Sequence, residues 1–280
     1  GTTLVEGGQL LKMYNSAVDK GLVGKNSSQA PYIASDNKEV ELTSILTVGD
    51  VANNNYQMIG IPDGLGTYDN GNGTFTLVMN HELGNAVGGI RAHGSKGAFV
   101  SKWVIDKNDL SVIKGEDLIK KVNIWQNGSY TTYDSSSANA ATAFSRFCSA
   151  DLPKVSSFYN ASSGLGTQER IFMTGEESGA EGRAFGHIVT GANAGTSYEL
   201  PTLGNMSYEN VMAHPNTGDK TVVAVTDDAT PGQVYMYIGT KTNSGSEIDK
   251  AGLSNGKLYG IAVSGLSTEV STSFIAPKSA

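Results

Sequence analysis

Short segments rich in β-branched and aromatic residues recur along most of this chain, and glycine, asparagine, aspartate or proline bounds each of them. Such segments predict strands, and the bounding residues predict tight turns. With 35 glycines in 280 residues, many short elements are expected rather than long helices. The predicted strands are ELTSILTVG (41–49), YQMIGIPDG (56–64), TFTLVMNHEL (74–83), AFVSKWVID (98–106), RIFMTGEES (170–178), FGHIVTG (185–191), TVVAVTDD (221–228), QVYMYIGT (233–240) and KLYGIAVSG (257–265).

Two β-hairpins are recognisable from their turn sequences. DNGNG at 69–73 lies between two predicted strands, and ATPG at 229–232 joins TVVAVTDD to QVYMYIGT. Both turns imply antiparallel pairing. Many short antiparallel strands fit either a β-propeller or a pair of β-sandwiches. We expect a mainly β, propeller-like array over residues 1–280, as a single domain that forms a compact or incomplete ring.

Two segments predict helices beside the strands. Residues 5–20 carry apolar residues at helical spacing and a polar linker follows at 24–30, so residues 1–30 are expected to form an N-terminal helical and linker segment. Residues 135–150, SSSANAATAFSRFCSA, begin with serines and continue with alanines. Serine caps and alanine propensity predict a helix that ends near Cys148.

Charge and composition exclude several classes of function. The net charge is −7 and the longest basic run is Lys120-Lys121, which argues against a nucleic acid partner. No apolar run approaches the ~20 residues of a membrane-spanning helix, and no signal peptide pattern opens the chain. We therefore expect a soluble, mature protein. A single cysteine cannot form an internal disulfide, so stability must come from the core or from bound metal.

Histidine and arginine are concentrated in the middle of the chain, because every one of them lies between positions 81 and 214. These side chains bind metals and anions, so their concentration predicts a site there. Carboxylates also stand at the ends of predicted strands in the same region and just beyond it. Four such groups are MNHELG (79–84), MTGEES (173–178), SYENVMAHP (207–215) and TDDATPGQ (226–233).

Three of the four carboxylate groups also have a plain structural explanation, as a solvated strand end (79–84), a solvated turn (173–178) or a hairpin turn (226–233). Strand alternation puts Asn80 and Glu82 on one face, where two oxygen ligands suit calcium or iron(III), but a solvated strand end has the same pattern. Glu176 and Glu177 point to opposite sides of an extended chain, so at most one is expected to face a given site. Four groups together predict a multi-metal site on the mouth of a β scaffold.

Cys148 is the only thiol in the chain, and it lies between two of these carboxylate groups. A free cysteine is often a small buried apolar residue. No C-x-x-C motif is present, so neither a zinc knuckle nor a redox pair is predicted. One thiolate among oxygen ligands would fit iron.

Taken in order, these segments resemble the PhoX-type alkaline phosphatases, which are secreted bacterial β-propeller enzymes that hydrolyse phosphate esters with iron and calcium. The resemblance covers roughly residues 56–240 and indicates a shortened or divergent member. The sequence departs from the family pattern at Phe147, Gly175 and Tyr208. The motifs that carry the resemblance are PDGLGTYDNGNGTFTLVMNHEL, RFC, RIFMTGEES with FGHIV, NMSYENVMAHP, and TVVAVTDDATPGQVYMYIG.

The resemblance implies a set of site residues. The metal ligands would be Glu82, Cys148, Glu176 or Glu177, and Glu209, with Asp227 or Asp228 as a further one. Arg146 or Arg183 would orient the phosphate by a bidentate contact. The implied cofactors are calcium and iron.

The resemblance leads to two functional hypotheses and a weaker third. The first is a metal-dependent phosphoesterase, secreted or periplasmic in a bacterium, that hydrolyses small phosphate monoesters. The second is a non-catalytic extracellular structural, matrix or self-assembling protein on a calcium-stabilised scaffold, whose unpaired sheet edges would join copies. The third is a carbohydrate-binding or ligand-binding propeller.

Overall fold

The computed structural model describes residues 21–262 and 264, so the helix expected over 5–20 lies outside the described residues. Within them, regular structure is almost entirely β, and the only α-helix is the four-residue α1 (Glu247–Lys250). The strands are β1 (Leu22–Val23), β2 (Thr43–Ser44), β3 (Pro62–Asp69), β4 (Thr74–His81), β5 (Phe99–Asp106), β6 (Val112–Asp117), β7 (Lys121–Gln126), β8 (Ser129–Tyr133), β9 (Phe147–Asp151), β10 (Tyr159–Asn160), β11 (Leu165–Gly166), β12 (Ile171–Glu176), β13 (Ala184–Ile188), β14 (Thr196–Glu199), β15 (Tyr208–Ala213), β16 (Lys220–Asp227), β17 (Val234–Thr240) and β18 (Lys257–Gly260).

Most strands belong to three larger sheets. Two sheets have four strands in chain order, β3-β4-β5-β6 and β15-β16-β17-β18, which is the strand order of a propeller blade. The third has six strands in the order β8-β7-β14-β13-β12-β9. Its strands pair antiparallel except for β14 and β7, which pair in parallel. The prediction of a mainly β, propeller-like array of short antiparallel strands is confirmed.

Both hairpins predicted from turn sequences are present. The amide of Asn70 donates to the carbonyl of Thr74 at 3.1 Å, which closes the turn between β3 and β4. Strands β16 and β17 pair antiparallel up to Thr226 and Val234, on either side of the ATPG turn. Asparagine, glycine and proline therefore mark the reversals as the sequence indicated.

The described residues form two compact units, and the second contains residues 63–66, 79–100, 117–262 and 264. Its core joins apolar side chains from the six-stranded sheet and from the β15-β16-β17-β18 sheet. Ile171 and Met173 of β12, Val223 of β16 and Tyr237 of β17 are fully buried in this cluster, and Ile248 of α1 completes it. The alternating apolar residues of these strands supply the buried face.

The first unit contains, among the described residues, 21–62, 67–78 and 101–116. Trp103 of β5 is buried, and its ring contacts Tyr56 edge to face with centroids 5.1 Å apart. The indole nitrogen of Trp103 donates to Ser101 at 2.7 Å, so the buried ring has its polar group satisfied.

The helix predicted over residues 135–150 is wrong. The segment contains one 3₁₀ turn, Ala140–Thr142, which Asn139 and Thr142 cap reciprocally. Arg146 has a φ of +48°, which no helix accommodates, and β9 then pairs with β12. Strand pairing and the left-handed residue override the helix propensity of the alanines.

None of the described helices is both long and apolar enough to cross a membrane.

Candidate metal centre

Five potential ligands lie at strand ends within the second unit. Glu82 and Glu177 immediately follow β4 and β12, whereas the other three are each the second residue of a strand. Consecutive antiparallel strands bring such ends to one edge of the sheets, because the start of one strand lies beside the end of the next. The full set is Asp63 of β3, Glu82, Cys148 of β9, Glu177 and Glu209 of β15.

Glycine allows β3 to approach β9. A Cβ atom on Gly64 would lie 2.3 Å from the amide nitrogen of Ala150, and one on Gly66 would lie 2.3 Å from the Cβ of Leu152. Any larger residue at either position would force the strands apart. This close contact brings Asp63 to within ligand distance of Cys148.

A second close contact sets β12 against β15. A Cβ on Gly175 would lie 2.4 Å from the Cβ of Tyr208, so the glycine makes room for the tyrosine. Tyr208 is fully buried and donates its hydroxyl to the carbonyl of Gly204 at 2.6 Å. Gly175 and Tyr208 are two of the departures from the PhoX pattern, and they prove to be packing partners.

The cluster consists of two groups of three ligands that share Cys148. Asp63, Glu82 and Cys148 place one ligand atom each within 4.8 Å of one another, and Cys148, Glu177 and Glu209 do the same. All five side chains are half-buried. A hydrogen bond of 2.8 Å from Ser149 to Asn210 ties the strand of Cys148 to the strand of Glu209.

The ligands repel one another electrostatically. Burial and the hydrogen-bonded carboxyl of Glu82 raise the pKa of Asp63 above its usual range. Burial, followed by the charges of Asp228 and Glu177, raises the pKa of Glu209. Burial and the neighbouring Glu177 raise the pKa of the Cys148 thiol. A bound cation would favour the ionised forms of Asp63, Glu209 and Cys148, whose pKa values are raised.

Arg146 connects the two ligand groups from the solvent side. Its guanidinium donates to Glu82 at 2.9 Å and to Glu177 at 2.8 Å, and its side chain is 47% exposed. Its amide donates to the carbonyl of Leu83 and its carbonyl accepts from the amide of Glu177. With a φ of +48°, Arg146 has a backbone conformation that non-glycine residues rarely adopt and that is common at functional sites.

Glu176 has a different environment from Glu177, as strand alternation predicts. Its carboxylate accepts hydrogen bonds from Nε and Nη2 of Arg183 at 2.8 and 2.9 Å, and from the amide of Ser145 at 3.0 Å. Arg183 also donates to the carbonyl of Ala141 and stacks over Phe185. Glu176 and Arg183 thus form a bidentate ion pair, in which each side chain is already occupied by the other.

The two aspartates of the β16–β17 hairpin are placed differently. Asp227 accepts a hydrogen bond from the amide of Ala229, as aspartates in turns commonly do. Asp228 is exposed, and its charge contributes to the raised pKa of Glu209. Asp228 therefore acts electrostatically on one of the five ligands.

Three of the histidines that predicted a central site belong to the core. His81 stacks on Phe99 with ring centroids 4.0 Å apart. The ring nitrogens of His187 bond to Thr174 and Ser197, at 2.8 and 2.6 Å. His93 is buried against Thr142. Their concentration in the sequence reflects packing, because the ligand groups found among the described residues contain no histidine.

The sequence pattern did not indicate Asp63 as a ligand, whereas it placed Asn80 on the same strand face as Glu82 as a second oxygen ligand. Asp63 stands in PDGLG, where the closely spaced glycines signal a tight backbone contact. Asn80 is fully buried, and its amide nitrogen donates to the carbonyls of Cys148 and Ser149 at 3.2 and 3.1 Å. The Oδ1 atom of Asn80 is buried and makes no hydrogen bond within the described structure.

The chain matches no protein family model, and no curated protein matches it. Among solved structures, it is similar to Pseudomonas fluorescens PhoX in complex with vanadate, a transition state analogue. The two sequences are 10% identical, and the match covers 75% of this chain and 46% of that one, with a TM-score of 0.47. The chain therefore spans about half the length of PhoX. A match at this level does not establish a family.

Proposed function

We propose that the five strand-end ligands bind calcium and iron, and that the resulting centre hydrolyses phosphate monoesters. The observation that carries the proposal is the shared thiol: Cys148 belongs to two groups of three ligand atoms, each group lying within 4.8 Å. Cys148 would belong to the ligands of cations held by either group, and such cations would supply charge stabilisation for phosphoryl transfer.

The chemistry of the donor set fits these cations. Carboxylate oxygens suit hard cations such as calcium, and a thiolate binds iron well. The raised pKa values of Asp63, Glu209 and Cys148 reflect burial first and then the neighbouring acidic groups, and a bound cation would offset both effects. The unpaired Oδ1 of Asn80, on a side chain held by the backbone of Cys148, adds a neutral oxygen close by.

Bound cations, Arg146 and Cys148 would have separate roles in the proposed hydrolysis. When bound, the cations would neutralise the phosphate dianion and polarise its P–O bonds. Arg146 is exposed enough to turn one guanidinium edge toward a phosphate while its backbone stays fixed by Leu83 and Glu177. Cys148 would act as a ligand in its thiolate form, because a bound cation would offset the burial and the neighbouring acidic groups that raise the pKa of its thiol.

Elemental analysis combined with an activity assay tests the proposal. Purified protein is expected to contain calcium and iron and to hydrolyse p-nitrophenyl phosphate. Cys148→Ser should lower the iron content, and Glu209→Gln should lower the rate roughly tenfold or more. Glu181→Gln is the matched control, since Glu181 is an exposed carboxylate outside both ligand groups. Absence of turnover in metal-loaded protein, with metal content unchanged in both variants, would refute the proposal.

A second function is favoured by the contacts of Arg146. The guanidinium already neutralises one carboxylate in each ligand group, so the centre has a charge partner without any substrate. We propose as the alternative a non-catalytic extracellular scaffold that calcium stabilises. In that case added calcium raises the melting temperature while turnover stays absent. At a calcium concentration a hundredfold above its dissociation constant, the free energy of unfolding should increase by about 2.7 kcal/mol.

The proposal places the protein outside the bacterial cytoplasm. Half-exposed calcium sites of modest affinity are typical of extracellular modules. The single cysteine is compatible with this location, because one thiol cannot form an internal disulfide and the fold does not depend on one. Cell fractionation of the producing bacterium, with detection by antibody, is expected to find the protein in the periplasm or medium, and a purely cytoplasmic signal would contradict it.

A further inference from the structure

The six-stranded sheet ends in an edge strand at β8. In the described part of the chain, β8 pairs with β7 alone and is the last strand in the sheet order. A two-residue turn, Asn127 and Gly128, with φ values of +52° and +83°, joins the two strands. This turn geometry is typical of a tight hairpin and leaves the other side of β8 as an edge.

The ladder between β7 and β8 determines which backbone groups lie on that edge. Gln126 and Ser129 flank the turn and therefore form a hydrogen-bonded pair, and the alternation continues along the hairpin. The N–H and C=O groups of Thr131 are consequently directed toward β7. Those of Tyr130 and Thr132 are directed away from it, toward the sheet edge.

The usual protection of sheet edges is missing from β8. Its sequence, SYTTY, contains no lysine, no other charge and no proline, and its register with β7 runs without a bulge. Natural edge strands avoid pairing with other chains through such features. In a chain with a net charge of −7, an uncharged edge rich in threonine and tyrosine is a place where another strand can bind without repulsion.

The edge is also held rigid by its side chains. Tyr130 donates its hydroxyl to the carbonyl of Glu199 at 2.7 Å, and its ring contacts those of Trp125 and Tyr198 edge to face. Thr132 donates to Asn123 at 2.6 Å. A strand that is already ordered loses little entropy when it pairs.

We propose that β8 is a self-association surface, at which a second copy of this chain adds its own β8 antiparallel about Thr131. In this register Tyr130 of each protomer forms a hydrogen-bonded pair with Thr132 of the partner subunit. Thr131 lies directly opposite Thr131 of the partner subunit, in a non-hydrogen-bonded pair with Cα atoms about 4.5 Å apart. The two six-stranded sheets become one continuous sheet across a twofold axis.

Self-complementarity favours a second copy over another partner. Under the twofold axis every pair within the strand joins threonine, serine or tyrosine, and no two charges are opposed. The first charged residue beyond the strand, Asp134, would face Gly128 of the partner subunit, which has no side chain. The proposal is independent of the metal centre.

Disulfide trapping tests the register. Thr131→Cys is expected to form a covalent dimer under mild oxidation, because Cα atoms about 4.5 Å apart allow a disulfide. Ser129→Cys is the matched control: its mate in this register is Tyr133 of the partner subunit, so it should not crosslink with itself. It should crosslink when mixed with Tyr133→Cys protein. Peptide mapping by mass spectrometry distinguishes these links from any that involve Cys148.

Charge exchange tests the interface without covalent chemistry. The side chain of Thr131 is exposed, so Thr131→Lys and Thr131→Glu should both fold. Each alone should weaken dimerisation about fivefold, the effect of like charges placed opposite each other, and an equimolar mixture should restore it. Light scattering and analytical ultracentrifugation give the association state.

Three results would contradict self-association through β8. A wild-type protein that is monomeric at high concentration, together with no covalent dimer of the Thr131→Cys variant, would refute the proposal. Slow hydrogen exchange at Tyr130 and Thr132 in a monomer would also refute it, because the chain itself would then cover the edge. A dimer that forms equally well with both charged variants would place the interface elsewhere.

Discussion

Glu176 and Glu177 are neighbours in sequence, yet their carboxylates belong to two opposite electrostatic environments. Glu176 is buried with Arg183, and their bidentate pair and the amide of Ser145 occupy its oxygens. Glu177 lies among other carboxyl groups and a thiol, with Arg146 as its cationic contact. The first environment is electrostatically complete and supports the fold. The second is incomplete, which is the property expected of a binding site.

Breaking the complete pair should give the largest effect on stability. Glu176→Ala removes the buried carboxylate that partners the largely buried guanidinium of Arg183, whose side chain is 18% exposed, and is expected to cost about 3 kcal/mol. Glu177→Ala, in the same protein without metal, should change stability by less than about 1 kcal/mol, because it removes one of several repelling charges. Urea unfolding of both variants in the presence of chelator measures the difference. Equal losses would mean that the two environments are not distinct.

The backbone contact behind Glu176 and Glu177 should give the next largest effect. Gly175→Ala introduces a Cβ that would lie 2.4 Å from the Cβ of Tyr208, and overpacking of this kind costs about 1–3 kcal/mol. We also expect reduced metal content, because β12 and β15 carry Glu177 and Glu209. Gly84→Ala is the control, since its Cβ would meet nothing closer than 3.7 Å. If both variants unfold alike, the contact does not hold the centre.

The smallest expected effect is a loss of stability at low pH. It is caused by a histidine that is buried in its neutral form. Burial lowers the pKa of His187 from 6.5 to about 3. The unfolded chain therefore binds a proton between these pH values that the folded chain does not, so stability falls as the pH decreases below 6.5. The slope should approach about 1.4 kcal/mol per pH unit near pH 5.5.

His187→Gln should flatten this slope, whereas replacement of the exposed His214 by glutamine should not. Urea unfolding between pH 7 and pH 5 gives the comparison. An unchanged slope in His187→Gln would mean that other groups determine the acid sensitivity.

Much of the fold was predictable from local patterns. Strands β4, β12, β16 and β17, and the turns at 69–73 and 229–232, follow from alternation and turn residues. Strands β6 to β8 were not predicted, because their short, polar segments gain their pairing from neighbours rather than from their own composition. The helix expected over 135–150 fails for the same reason, since β9 pairs with β12 across the bulge beside Gly175.

The sequence predicted which types of residue form the candidate site better than it predicted which individual residues belong to it. The motifs indicated Glu82, Cys148, Glu177 and Glu209, and alternation required that only one of the paired glutamates face a site. The missed Asp63 enters the cluster through the contact of Gly64 with β9, which joins residues far apart in sequence. No local pattern encodes which strands will be adjacent.

The sequence by itself determined the strand periodicity, the turn positions and the presence of carboxylates at strand ends, because each depends on residues close together in the chain. Only the tertiary structure decided that Arg183 pairs with Glu176 while Arg146 contacts Glu82 and Glu177, and that Cys148 joins two ligand groups. In the sequence, the two arginines carry the same charge as each other, and so do the three glutamates. Their burial and their partners differ, and those depend on the packing of strands that are distant in sequence.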